Sequence, residues 1–122
     1  MKRLGAALAL LAALHCDAQT VVLYAHDDRA SAMRIRDVVA LHNETTLDRD
    51  IPAGVPWRQA MALAIVRART VLVAWSRSAA ASPEIGAEWR LAIATGARVV
   101  PVLLDDAPMP AELAARQWID WR

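Results

Sequence analysis

The chain has 122 residues, of which 57% are hydrophobic and 22% are charged, and its net charge is +1. This length suits one domain with one core, and the composition excludes an intrinsically disordered protein. No basic run follows Lys2 and Arg3, which argues against nucleic acid as a partner. Cys16 is the only cysteine and the three histidines lack ligand spacing, so we expect neither a disulfide nor a metal site.

Residues 1–18 differ in character from the rest of the chain. A basic start precedes an apolar run over 4–14, and small residues follow near Cys16. This is the outline of a secretory signal, and the run is too short to span a bilayer comfortably. An incorrectly assigned start or a loosely packed helix before the first strand would also fit. We expect a cytoplasmic protein, exported or membrane-associated only if residues 1–18 act as a signal or anchor.

From residue 19 onward, strand and helix patterns alternate. Residues 20–25 form an apolar, β-branched run typical of a strand, and the polar turn 26–29 follows. The stretch 31–41 has a helical stripe made of Met33, Ile35, Val38, Val39 and Leu41. Residues 45–48 are a weaker strand candidate, and the Pro- and Gly-containing stretch 49–56 predicts a loop.

The second half continues the same alternation. A helix is predicted over 57–68, with Met61, Ile65 and Ala68 on one face, and then a strand over 70–75. The later elements are a helix over 82–95, a strand over 97–104, a short helix over 111–116 and a last strand over 118–121. Five strands alternating with helices predict an α/β domain over 19–122, a three-layer, flavodoxin-like fold with a parallel sheet in the order 2-1-3-4-5.

The stretch 71–96 is the most informative about function. Ser82 is a suitable helix cap, Pro83 fits the first helical position, and Glu84 complements the positive end of the helix. Gly96 ends the helix. Glu88 therefore lies about two turns into a helix that follows a central strand, and open α/β sheets bind ligands at the carboxyl ends of their strands.

Several segments in order resemble a TIR domain, the Toll/interleukin-1 receptor/resistance protein module, in a bacterial form. The resemblance covers about residues 21–121. It rests on the first strand and acidic turn (22–29), a stretch like the BB loop (48–54) followed by Trp57, the series Ser76, Ser82 and Glu88, and a fourth strand (99–105). Glu84 and Ile85 stand where the family often has an aromatic residue and a cysteine, and Leu23 stands where it commonly has a serine.

The resemblance implies one of two functions. Many bacterial and plant TIR domains hydrolyse NAD⁺ to nicotinamide and ADP-ribose or a cyclic product, and Glu88 matches their catalytic glutamate. NAD⁺ is then the substrate, and no cofactor is expected. Other TIR domains are non-catalytic interaction modules in signalling or defence. In both cases, homotypic self-association is implied.

Further residues are candidates for substrate binding. Tyr24 and Trp57 offer rings for stacking, whereas Trp75, Trp118 and Trp121 are expected to pack in the core. Asp28 and Arg29 either line the crevice or form a plain polar turn, and Asp48 either contacts ligand or holds its loop by an ion pair. Ser76 and Ser82 offer hydroxyls, although helix capping explains Ser82 equally well.

Two other interpretations compete with these. Glu88 would be a plain solvated helix residue if it paired with Arg77, Arg90 or another surface arginine. A response-regulator receiver would explain the acidic pair Asp27 and Asp28. A receiver also needs a lysine near the end of its last strands to stabilise the acyl phosphate, and no lysine follows Lys2.

Overall fold

The computed structural model describes residues 19–41, 44–46 and 56–122. The signal-like segment 1–18, Asp48 and the predicted loop up to residue 55 lie outside the described residues. In the described part of the chain, no helix combines the length and the apolar character needed to cross a membrane.

The sheet is parallel throughout, with the strand order β2-β1-β3-β4-β5. This confirms the predicted flavodoxin-like α/β fold and its strand order. All six residues of β3 are buried, as expected for a central parallel strand covered on both faces. The strands are β1 (Gln19–Leu23), β2 (Glu44–Thr46), β3 (Thr70–Trp75), β4 (Arg98–Leu103) and β5 (Ile119–Asp120).

Helices follow the strands, with a 3-10 turn at His26–Asp28 before the first of them. A four-residue helix directly after β3 was missed in the sequence, because one turn is too short to show helical periodicity. The helices are α1 (Arg29–Val39), α2 (Trp57–Arg67), α3 (Arg77–Ala80), α4 (Pro83–Ala94) and α5 (Ala111–Ala114).

The bounds of helix α1 and the burial of Trp118 differ from the predictions. Helix α1 begins at Arg29, because the chain is already helical from His26, and it ends at Val39, which leaves Leu41 72% exposed. The expectation that Trp118 packs in the core is wrong, since its exposure is 46%. Side chains alternate along the last strand, so Ile119 and Trp121 are buried while Trp118 points to the other side.

Two apolar clusters cover the two faces of the sheet and make the three layers. Alternate strand residues point to opposite faces, so Val21 and Val71 lie in one cluster while Val22 and Leu72 lie in the other. The first cluster includes Met61, Ile65, Trp89 and Ala92 from α2 and α4, and the second includes Ala32, Ile35 and Val39 from α1. Helices α2 and α4 therefore lie side by side on the same face of the sheet.

Candidate functional site

Helix α4 is fixed at both ends by the residues predicted to do so. The Ser82 Oγ accepts a hydrogen bond from the Ile85 N–H at 3.2 Å, and Pro83 occupies the first turn. At the other end Gly96 has a φ of 82°, and the N–H groups of Gly96 and Ala97 donate to the carbonyls of Ile93 and Ala92. This pair of bonds is a Schellman motif, which satisfies the last carbonyls of the helix.

With its ends fixed, α4 presents two carboxylates beside α2. Ile85, Trp89 and Ala92 form the buried face of α4. Glu84 and Glu88 are four residues apart, so they lie on one side of the helix, one turn from each other. Both line a groove of about 370 Å³, called here the α2–α4 groove, whose lining is Trp57, Arg58, Ala62, Ile65, Pro83, Glu84, Ala87, Glu88 and Leu91.

The α2–α4 groove has apolar walls and a charged rim. Ala62 and Ile65 from α2 face Ala87 and Leu91 from α4. The Arg58 Nη2 lies 3.8 Å from the Glu84 Oε1, and the two side chains are 82% and 53% exposed. An ion pair this exposed contributes little stability, so both groups remain available to a ligand.

A second depression, called here the strand-end cleft, opens beside the carboxyl ends of β1 and β3. It has a volume of about 620 Å³ and is lined by Tyr24, Ala25, His26, Asp27, Trp57, Ser78, Ala81, Ser82, Glu84 and Ile85. Trp57 and Glu84 line both this cleft and the α2–α4 groove. One extended ligand can therefore contact both depressions.

The acidic turn after β1 meets the serines after β3. The Ser76 hydroxyl donates to the Asp28 Oδ2 and accepts from the Ala79 N–H at 3.0 Å, which caps α3. The Ser78 hydroxyl contacts the Asp27 Oδ2 at 3.4 Å. These bonds tie together the two loops at the point where the strand order reverses, which is where ligands bind in such sheets.

The structure separates the predicted substrate-binding residues into three groups. Tyr24, Trp57 and Ser82 line the strand-end cleft, and Trp57 also joins Glu88 in the α2–α4 groove. Ser76 is 3% exposed and, like Asp28, supports the loops without lining either depression.

The third group consists of two residues that the structure does not place in either depression. Arg29 is exposed at the start of α1 and lines neither depression, and Asp48 lies outside the described residues.

The structure also shows the contacts of a tryptophan predicted to lie in the core and of two arginines considered as partners of Glu88. Trp75 is buried, as expected, and its Nε1 donates to the Pro108 carbonyl at 3.1 Å. Arg77 pairs with Asp106 at 2.9 Å. Arg90 stacks over the ring of Trp89 at 4.4 Å.

Sequence reasoning missed Arg58 and gave Glu84 a role only at the positive end of the helix. The spacing of Glu84 and Glu88 was a usable signal, because residues four apart share a helix face. No local pattern pointed to Arg58, since its position opposite Glu84 depends on the packing of α2 against α4.

Among residues 19–41, 44–46 and 56–122, no three His, Cys, Asp or Glu side chains gather as metal ligands would.

A parallel sheet in the order 2-1-3-4-5, with a ligand-sized depression at its strand ends, defines a flavodoxin-like α/β domain. The family model of the TIR domain matches residues 21–122, and the chain therefore belongs to the TIR domain family. This membership supports a signalling function of the TIR type, and the family includes NAD⁺ hydrolases. No curated protein matches the chain.

Proposed function

We propose that this TIR domain is an NAD⁺ glycohydrolase that cleaves the bond between the nicotinamide nitrogen and the ribose. The observation that carries the proposal is the position of Glu88 in an apolar groove that also presents the ring of Trp57. An aromatic ring and apolar walls suit a flat heterocycle, and a carboxylate suits the positive charge that develops on the ribose.

The chemistry needs only one acid at the reacting bond. The nicotinamide of NAD⁺ is already cationic and leaves as a neutral molecule with the bonding electron pair, so no general acid has to protonate it. The ribose carbon then resembles an oxocarbenium ion, which the Glu88 carboxylate stabilises. Water adds to that carbon and loses a proton, giving ADP-ribose. Attack by a group of the same molecule would give a cyclic product instead.

The strand-end cleft suits the polar remainder of the substrate. Tyr24, Ser78 and Ser82 place hydroxyl groups along it, next to the shared residue Trp57. Hydroxyls of this kind, and the carboxylates of Asp27 and Glu84 beside them, hydrogen-bond to ribose hydroxyls. In the proposed complex, the nicotinamide end of the substrate lies in the α2–α4 groove, and ribose hydroxyls contact the strand-end cleft.

Nicotinamide release from NAD⁺ tests the proposal. Glu88→Ala should lower the rate by about 100-fold or more, because it removes the charge that stabilises the transition state. Glu112→Gln is the matched control, since Glu112 is an exposed acid at the start of α5 that lines neither depression. Circular dichroism should show that both variants fold. A concentrated protein that leaves NAD⁺ intact would refute the enzymatic function.

A second function, homotypic or heterotypic protein binding, is favoured by a separate observation. Leu63 and Val66 are 48% and 53% exposed on α2, although both are large apolar residues. An interaction module would use such a surface without Glu88. Charged substitutions at both positions should then weaken assembly in sedimentation experiments, while Glu88→Ala leaves assembly unchanged.

A further inference from the structure

The second apolar cluster is wider than the helix that lies on it. Its buried strand residues come from β1, β3, β4 and β5, and among the described helices only α1 contributes to it. Helix α1 makes most of its contacts with the sheet to β1 and β2, the strands that it connects. A helix is about 10 Å across, which is about two strand spacings. Helix α1 is therefore too narrow to cover β4 and β5 as well.

The side chains of β4 and β5 on this face are nevertheless buried. Val100, Val102, Ile119 and Trp121 are at most 6% exposed. The Trp121 Nε1 is buried too and has no hydrogen-bond partner among the described residues, as expected beneath an apolar cover. These side chains therefore need a cover that the described helices do not supply.

Three parts of the chain lie outside the described residues. Residues 42–43 are too few to cover two strands. The stretch 47–55 contains three charged residues and leads from β2, at the opposite edge of the sheet from β5, to α2 on the first face. Residues 1–18 lead directly into β1, and only β3 separates β1 from β4. The order of the elements therefore favours residues 1–18 as the cover.

Residues 4–14 have a composition that suits this position. They comprise five leucines, five alanines and one glycine. Alanine and leucine are strong helix formers. In a helix, Leu4, Leu8 and Leu11 would share one face, and Ala9 and Ala13 would lie on the opposite face. The leucine face suits contact with apolar strands, and the alanine face is small enough to be left in water.

The lengths of the segment and of its connection also agree. Eleven helical residues span about 16 Å, and a six-residue strand such as β4 spans about 20 Å. The connection 15–18 reaches about 13 Å when extended, whereas β4 lies two strand spacings, about 10 Å, from β1. Segment 4–14 can therefore turn back over the sheet from the start of β1.

We propose that residues 4–14 form a helix whose leucine face packs on β3, β4 and β5 beside α1. The segment then belongs to the folded domain and is not removed as a secretory signal. The proposal is independent of the proposed hydrolysis of NAD⁺, so its test needs no turnover.

A spin label tests the position of the segment in the full chain. Cys16 is the only cysteine, so Cys16→Ser combined with Ala9→Cys gives one labelling site on the face away from the leucines. Line broadening of the tryptophan indole N–H signals in NMR reports distance from the label, and single substitutions by Phe identify each signal. The label should broaden Trp121 much more than Trp57, which lies at the start of α2 on the first face.

Two matched substitutions test the packing of the leucine face. Leu11→Glu and Ala9→Glu introduce the same charged helix former on opposite faces of the segment. Leu11→Glu should lower the urea midpoint and increase the fluorescence of the dye ANS, which binds exposed apolar surface. Ala9→Glu should leave both values close to those of the unchanged protein. Loss of folding in Leu11→Glu alone would also support the proposal.

Other positions of the segment give different results, and each would overturn the proposal. Stronger broadening of Trp57 than of Trp121 would place the segment on the first face. Equal stability of the two Glu variants would show that the leucine face is not packed. An intact mass that lacks residues 1–18, measured on protein isolated from a bacterial host, would identify a cleaved signal.

A mixing experiment distinguishes a cover from the same chain from one supplied by a second copy. Isotope-labelled protein without a spin label is mixed with spin-labelled protein that is invisible in the spectrum. Trp121 should then stay sharp, because each chain covers its own sheet. Broadening of Trp121 in the mixture would mean that a second copy provides the cover, and it would overturn the proposal.

Discussion

Ser76 shows how much one buried hydroxyl contributes to the site. It donates to Asp28 from the turn after β1 and accepts from the Ala79 N–H at the start of α3. Because Ser76 is only 3% exposed, water has little access to replace either hydrogen bond. The residue therefore holds together two loops whose residues Asp27 and Ser78 line the strand-end cleft.

Ser76→Ala should lower the free energy of unfolding by about 1–2 kcal/mol, through loss of a helix cap and of a buried hydrogen bond. Urea denaturation followed by circular dichroism measures this change. Ser78→Ala is the matched control, because its contact with Asp27 is long and exposed, and it should cost less than about 0.5 kcal/mol. Equal costs for the two variants would contradict the role given to Ser76.

At single positions, the sequence indicates contacts between near neighbours in the chain and gives no sign of contacts between distant residues. The Ser82 cap depends on atoms three residues apart and was predicted correctly. Ser76 is a candidate for substrate binding, and in the structure its hydroxyl donates to Asp28, which is 48 positions away in the chain. Nothing near Ser76 in the sequence indicates that partner, because the pairing of β1 with β3 brings the two together.

Among the elements, helix α4 contains one glycine and ends at another, and the two have different effects on its stability. Gly96 has a φ of 82°, and an added Cβ there would meet no atom within 4 Å. Gly86 lies inside the helix, where an added Cβ would come within 2.8 Å of the Arg90 Nη1. The first glycine is needed for its backbone conformation, whereas the second only lowers helix propensity.

Gly96→Ala should destabilise the protein by about 1–2 kcal/mol, because an L-residue is strained in the left-handed region. Gly86→Ala should stabilise it by about 0.5 kcal/mol, since Ala is the better helix former and the end of the Arg90 side chain can move. Thermal unfolding monitored by circular dichroism compares the two. A loss of stability in both variants would show that Arg90 cannot move away from Trp89 without cost.

Over the whole molecule, both faces of the sheet are covered, so stability depends on two cores joined by shared strands. Ile65 from α2 and Ile35 from α1 are each fully buried, on opposite faces. The strands contribute alternate residues to each cluster, so neither core can be lost without disrupting the same sheet. We expect the described domain to unfold as one cooperative unit.

Ile35→Ala and Ile65→Ala should each lower the free energy of unfolding by about 2–5 kcal/mol, through lost burial and the cavity left behind. Tryptophan fluorescence and circular dichroism should report coincident urea transitions in both variants. Separate transitions for the two probes in either variant would show that the two faces unfold independently.

The sequence by itself determined the types of all elements except the short helix α3, the strand order, the family and the ends of α4, because these depend on periodicity, on capping residues and on a few ordered segments. Only the tertiary structure decided that Glu84 and Glu88 share a groove with Arg58 and Trp57, and that Ser76 serves Asp28. Apart from the spacing of Glu84 and Glu88, these contacts join residues distant in the chain, and their geometry follows from strand pairing and helix packing, for which no local pattern gives a signal.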